Sequence, residues 1–234
     1  MSDIYVYDLA VLYFLTHHPI WSFLIILFFS FAMGILLSIW RNHGKWFFIL
    51  PILGFLAAMF NIFFTHHLNA LFLNAVGTEG TAVVVYAEET NSLYNDQYVW
   101  EYEAVLKTSE GQDVVTNFTT MSASIYPLRN AILIPPKGEV FVAKYVPGFE
   151  GNILIMSDKS DYGKKWVLNK DLKPVAKAEA QLATSPANPT FISEYRLALQ
   201  AFIEKHRDGP DPDLIRQYKQ KLEAFEATER ERQP

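Results

Sequence analysis

IWSFLIILFFSFAMGILLSIW, residues 20–40, is the stretch on which the architecture turns. It runs 21 residues without a charge, between Pro19 and Arg41. About 20 apolar residues rising ~1.5 Å each cross a hydrocarbon layer of about 30 Å. Trp21 and Trp40 stand at its two ends, where an amphipathic ring favours headgroup level. After Arg41-Asn42-His43-Gly44-Lys45 comes a second charge-free run of 19 residues, WFFILPILGFLAAMFNIFF, at 46–64. Pro51 and Gly54 lie inside it and predict a kink that a membrane helix tolerates. Together the runs predict a tight transmembrane hairpin. The first nineteen residues hold no Lys or Arg, so the charged start of a signal peptide is missing and the first run reads as an uncleaved anchor. Residues 4–15, IYVYDLAVLYFL, are too short for a third span and read as an interfacial helix or an extension of the first.

Charge sorts the 234-residue chain into thirds. Residues 1–75 contain two basic side chains, Arg41 and Lys45, and two acidic ones, Asp3 and Asp8. Residues 76–156 carry four basic and ten acidic groups, and residues 157–234 fourteen and thirteen. Arg41 and Lys45 both fall between the spans, so the positive-inside rule places that loop in the cytoplasm. Everything after residue 65 then lies outside, which in a bacterial inner membrane means the periplasm. The acidic middle excludes a nucleic-acid surface, which needs clustered Lys and Arg. The chain has no Cys, which excludes disulfides, thiolate metal sites and a cysteine nucleophile.

After Gly77 the pattern becomes one of strands. Thr81 to Glu89 is β-branched. From Tyr98 to Lys107 the residues alternate, with Tyr98, Trp100, Tyr102, Ala104 and Leu106 on one face. Asp113 to Thr120 reads as the return strand across a turn at Glu110-Gly111. Residues 121–134 read as a loop with one helical turn. Gly138 to Val146 and Asn152 to Met156 complete five strands, which predict a small antiparallel β barrel or sandwich.

Residues 20–156 resemble a widespread family of bacterial membrane proteins of unknown function that join a two-span hairpin anchor to a small β module. The likeness is carried by Tyr98, Trp100 and Tyr102, then by Gly138, Val140, Val142, Tyr145 and Pro147. Trp100 stands where the family has Tyr, and Pro147 comes two residues after Tyr145 in a departure from its pattern. The layout is also similar to that of membrane-anchored toxin-immunity proteins. The resemblance implies a fold and no activity.

Beyond Ser157 the chain is densely charged. ATSPANP at 183–189 reads as a linker. Phe191, Tyr195, Leu199, Phe202 and Ile203 form the stripe of an amphipathic helix with Thr190 as its cap. Asp211 and Pro212 open a second helix bearing Ile215, Tyr218, Leu222 and Phe225. The expected fold is therefore membrane-anchored α+β: residues 1–75 with the hairpin, a β module at 76–168, and a linker with a C-terminal helical hairpin at 169–234.

His17-His18 precedes the first span and His66-His67 follows the second, so the four rings end on one membrane face. They are the only set that suggests copper, zinc or haem iron. Adjacent His residues point about 100° apart on a helix, so each pair gives a shared site only one ligand. No metal and no cofactor is expected. No GxSxG, P-loop or HExxH occurs, and a non-enzyme is expected. Glu88, Glu89, Asp96, Glu101, Glu103 and Glu110 give the first β-hairpin an acidic character suited to a basic partner. With the bilayer as one partner, the second is expected to be a protein, most concretely a toxin, and a homo-oligomer is compatible with the pattern. The alternative is an assembly subunit of an inner-membrane complex, docking a partner helix on the stripe of residues 190–228.

Overall fold

Both apolar runs form helices. The computed structural model describes residues 3–232 and divides the chain into two compact units, Met1–Ser160 and Asp161–Pro234. The first unit opens with three helices, α1 (Asp3–His17), α2 (Pro19–Arg41) and α3 (Trp46–Val76). Pro19 suits the first position of α2, where an N–H has no partner to lose. The helix ends at Asn42, which turns left-handed at φ 52°. That lets the His43 N–H donate to Ser38 O at 3.1 Å and close the last turn.

α2 and α3 pack closely. A Cβ on Gly54 would run into the Ser30 side chain, and one on Gly34 would lie 3.0 Å from Trp46 O. Phe23 meets Phe55 edge-on, with ring centroids 6.0 Å apart. The outer faces are bare: Phe28 is 70% and Ile39 74% exposed. Two helices are thus long and apolar enough to cross a membrane, and their apolar surface is not covered by the protein. α1 is a separate helix broken from α2 at His18. It packs on α3 through Leu15, whose carbonyl accepts from Asn61 Nδ2 at 3.5 Å, and on the sheet through Tyr13, which meets Phe149 edge-on at 5.4 Å.

α3 has 31 residues, about 46 Å at 1.5 Å each, about ten residues more than the ~20 that a hydrocarbon layer needs. One face of its last third packs on the β module, while Leu68 and Leu71 on the other stay exposed. Ala70 and Leu73 pack with Val146, Leu154 and Met156. Asn69, fully buried, donates to Ser124 Oγ at 2.7 Å and exchanges two 2.9 Å hydrogen bonds with the amide of Asn152. Lys144 Nζ donates to Asn74 O at 2.6 Å.

Six strands follow: β1 (Thr78–Tyr94), β2 (Gln97–Lys107), β3 (Asp113–Thr119), β4 (Ser124–Tyr126), β5 (Val140–Val146) and β6 (Phe149–Met156). They form one mixed sheet ordered β3-β2-β1-β5-β6-β4, antiparallel except for β4 beside β6. The expected barrel or sandwich is thereby corrected to a single open sheet. Closure needs a ladder running unbroken around the sheet. Here β3 reaches β6 through a side chain, Thr116 Oγ1 donating to Gly151 O at 2.8 Å. At the other edge β4 is three residues long and is followed by Pro127, which has no N–H to extend a ladder. The loop expected at 121–134 thus contains a strand, preceded by a single turn in which the Ala123 N–H donates to Thr119 O at 2.9 Å.

β1 and β2 also run past their expected ends to a turn at Asn95-Asp96. Both residues are left-handed (φ 51° and 59°), as a two-residue type I′ hairpin turn requires.

The second unit contains α4 (Asp161–Thr184), α5 (Pro189–Lys205) and α6 (Pro212–Arg232), three helices where a helical hairpin is expected. Leu168, Leu172, Val175, Ala178 and Leu182 recur at helical spacing on α4 and pack against Tyr195, Leu199 and Phe202 of α5 and Ile215 of α6. The cap of α5 is Asn188, whose side chain accepts from the Thr190 N–H at 2.9 Å, rather than Thr190 itself. Asp211 caps α6 as expected, accepting from the Leu214 N–H at 2.9 Å.

Candidate functional site

The hairpin register brings carboxylates together. Glu88 lies directly across from Glu101, and Tyr86 across from Glu103. Cross-strand partners share a face, and so do residues two apart along a strand. Tyr86, Glu88, Glu101 and Glu103 therefore form one patch. Tyr86 Oη donates to Glu88 Oε2 at 2.6 Å. That bond, with the charges of Glu88 and then Glu101 behind it, raises the phenol above its ordinary pKa. The nearest cation on this face is Lys137, whose Nζ stands 5.9 Å from the Tyr86 ring centroid.

Like charges directly opposite on a sheet are destabilising by a few tenths of a kcal/mol. The patch is acidic, with Glu88 and Glu101 exposed and Glu103 partly so. It can attract and hold a cation-bearing surface.

The other three candidates stand apart. Glu89 pairs across with Trp100 on the opposite face of the sheet. Asp96 is in the tip turn, and Glu110 lies beyond the far end of β2, in the turn before β3. Of six carboxylates, the fold gathers Glu88, Glu101 and Glu103. Tyr86 was not singled out from the sequence, although its position two residues before Glu88 was a signal for a shared strand face.

The alternating aromatics divide along β2. Tyr102 is half-buried and stacks on Phe118 of β3, with ring centroids 5.3 Å apart, and burial raises its pKa. Tyr98 and Trp100, further toward the tip, are 50% and 38% exposed.

The four His side chains do not share a site. His17 stacks on Tyr13 at 4.0 Å, donates from Nδ1 to Tyr13 O at 3.1 Å, and lines a small pocket with Asn117 and Asn152. Its burial there lowers its pKa. His66 and His67 lie ring to ring at 4.0 Å on α3 and line a different groove. Among the described residues, no group of three or more His, Asp or Glu side chains is placed to hold a metal ion.

That second groove, about 350 Å³, was not anticipated. Ile62, Phe63, His66 and His67 of α3 form one wall, and Tyr94 and Asn95 of the hairpin tip another. Residues 120–132 close it. The cues were the apolar Met121, Leu128 and Ile132 inside a stretch otherwise read as loop.

No protein-family model, no curated protein and no solved structure matches the chain.

Proposed function

We propose that this is a membrane-anchored binding protein, and most concretely an immunity protein that neutralises an interbacterial toxin at the inner membrane, with its sheet on the periplasmic face. The observation that carries the reading is the patch of Glu88, Glu101 and Glu103. Two of its carboxylates face each other across a ladder, an arrangement that costs the fold stability and that a cationic partner would relieve. Complementary charge also speeds encounter, which suits neutralisation of an arriving protein. The two apolar helices supply the anchor, and Arg41 and Lys45 between them favour a cytoplasmic loop.

The alternative reading is an assembly subunit docking a partner helix on the stripe of residues 190–228. Tyr195, Leu199, Phe202 and Ile215 of that stripe are buried with α4, while Ile203, Tyr218, Leu222 and Phe225 are partly buried, which leaves less of the stripe for a partner.

The test is a pull-down with the tagged full chain, solubilised from membranes in mild detergent and read by mass spectrometry. Recovery of one secreted-type toxin in near-equal amount supports the reading. Recovery of a set of resident membrane subunits overturns it. With a toxin in hand, Glu101→Lys with Glu103→Lys should weaken binding by about tenfold, ~1.4 kcal/mol. Unchanged affinity would remove this face from the proposal.

A further inference from the structure

The tip of the β1–β2 hairpin presents apolar side chains to solvent. Leu93, partnered across the strands with Tyr98, is 61% exposed, and Tyr94 is 43% exposed. Beside the tip, Ile132 is 58% and Leu128 40% exposed. Such a cluster is a liability in water, and marks a contact surface when it is kept.

Its position identifies what it contacts. Counted from Trp46, about 20 residues of α3 fill the hydrocarbon layer, so the helix leaves it near Thr65. Tyr94 and Asn95 at the tip line one groove with Ile62 and Phe63, less than one turn before that exit. Ile132 lines this groove and also the neighbouring hollow under Tyr98 and Trp100. The tip and the 121–132 segment thus stand at the height of the headgroups. Tyr and Trp, with an apolar body and a polar edge, partition to that layer. Glu89 and Asp96 flank the cluster and would hold it at the interface rather than in hydrocarbon.

We propose that the hairpin tip and residues 121–132 form a second membrane contact, resting on the headgroup layer of the bilayer that α2 and α3 cross. The occupant is the lipid surface itself, continuous with the apolar faces of the spans. This rests on the reading of α2 and α3 as spans, and the experiment separates the two.

The chain has no native Cys. Four single-Cys forms of the full chain, Leu93→Cys, Ile132→Cys, Phe55→Cys and Glu110→Cys, would each carry an environment-sensitive fluorophore. They would be reconstituted into phosphatidylcholine vesicles with and without brominated acyl chains. All four sites are exposed, and Phe55, 47% exposed, gives up only its edge contact with Phe23. Labels at Leu93 and Ile132 should be quenched about twofold or more by the brominated lipid, as at Phe55, while the Glu110 label is unaffected. Quenching at Phe55 with Leu93 and Ile132 behaving like Glu110 would overturn the tip contact and leave the spans standing. No quenching at Phe55 would overturn the span reading and the tip contact with it.

Discussion

Replacing Asn69 tests how the membrane hairpin is joined to the sheet. Its amide is fully exchanged with that of Asn152, at 2.9 Å in each direction, and it donates to Ser124 at 2.7 Å. Both Asn residues are at most 2% exposed, so water does not take over a lost bond. Asn69→Leu keeps the volume and removes every partner. It leaves a buried amide unpaired and a buried hydroxyl short of a donor. At ~1–3 kcal/mol for each stranded group, the expected cost is about 3 kcal/mol. For a unit of this size that lowers Tm by about 6–12 °C.

The assay is thermal unfolding of the full chain in detergent, followed by the infrared amide band of β-sheet, to which the all-helical second unit contributes nothing. Asn69→Leu with Asn152→Leu should recover most of the loss, because removing both partners of a buried pair is close to neutral. The coupling in the double-mutant cycle should reach about 2 kcal/mol. A single variant within ~0.5 kcal/mol of the parent, or a double variant equal to the sum of its singles, would refute the account.

Glu101→Gln removes one of the facing carboxylates, and the sheet should gain ~0.2–1 kcal/mol in the same unfolding experiment. Gly54→Leu forces a side chain into Ser30, so cross-linking of Cys pairs placed at Phe23 and Phe55 by a short dimaleimide should fall as α2 and α3 separate. Burial alone would raise the Asp171 carboxyl, but hydrogen bonds from Lys205 and His206 together hold it below its ordinary value. A depressed carboxylate contributes stability above its unfolded pKa of about 3.9, and loses it as pH falls through the folded value. Protection factors for hydrogen exchange in α4, α5 and α6 should therefore fall on acidification below about pH 4, and Asp171→Asn should abolish that acid limb while lowering protection at pH 7.

The two long apolar helices were legible because charge-free runs of 21 and 19 residues with Trp at the ends of the first carry their own length and composition signal. The last third of α3 was not. His66 and His67 read as the polar end of the second run, and beyond them Asn69 finds its partners on strands 55 and 83 residues later in the chain. α4 was hidden by Pro174 and a dense scatter of lysines, although its apolar spacing was present in the sequence. Strand existence was clear from alternation, whereas open or closed topology depends on which edges meet, and that is set by non-local pairing.

The acidic patch shows the same limit at finer scale. The turn at Asn95-Asp96 alone would set Glu101 opposite Thr90. The irregularity between Glu89 and Leu93 shifts the register and brings Glu88 there instead. One slip of the ladder thus decides which carboxylates meet.

Asn61, Thr65 and Asn69 lie four residues apart, on one stripe of α3, and all three are buried. Thr65 Oγ1 donates to Asn61 Oδ1 at 2.6 Å, and Asn61 donates to the α1 backbone. Asn69 is held by β4 and β6. The stripe is therefore fixed to α1 at one level of the helix and to the sheet at the next. Rotating α3 by one residue, 100°, would strand all three side chains at once. The helix accordingly has a single rotational setting, and no flexible joint stands between the span and the sheet, since the helix continues to Val76 inside the β core. That setting brings the hairpin tip to the same groove as Ile62 and Phe63 of α3. It also fixes the heading of Glu88, Glu101 and Glu103 relative to the apolar helices, so under the proposed function a force on the acidic face would reach α3 through one continuous helix.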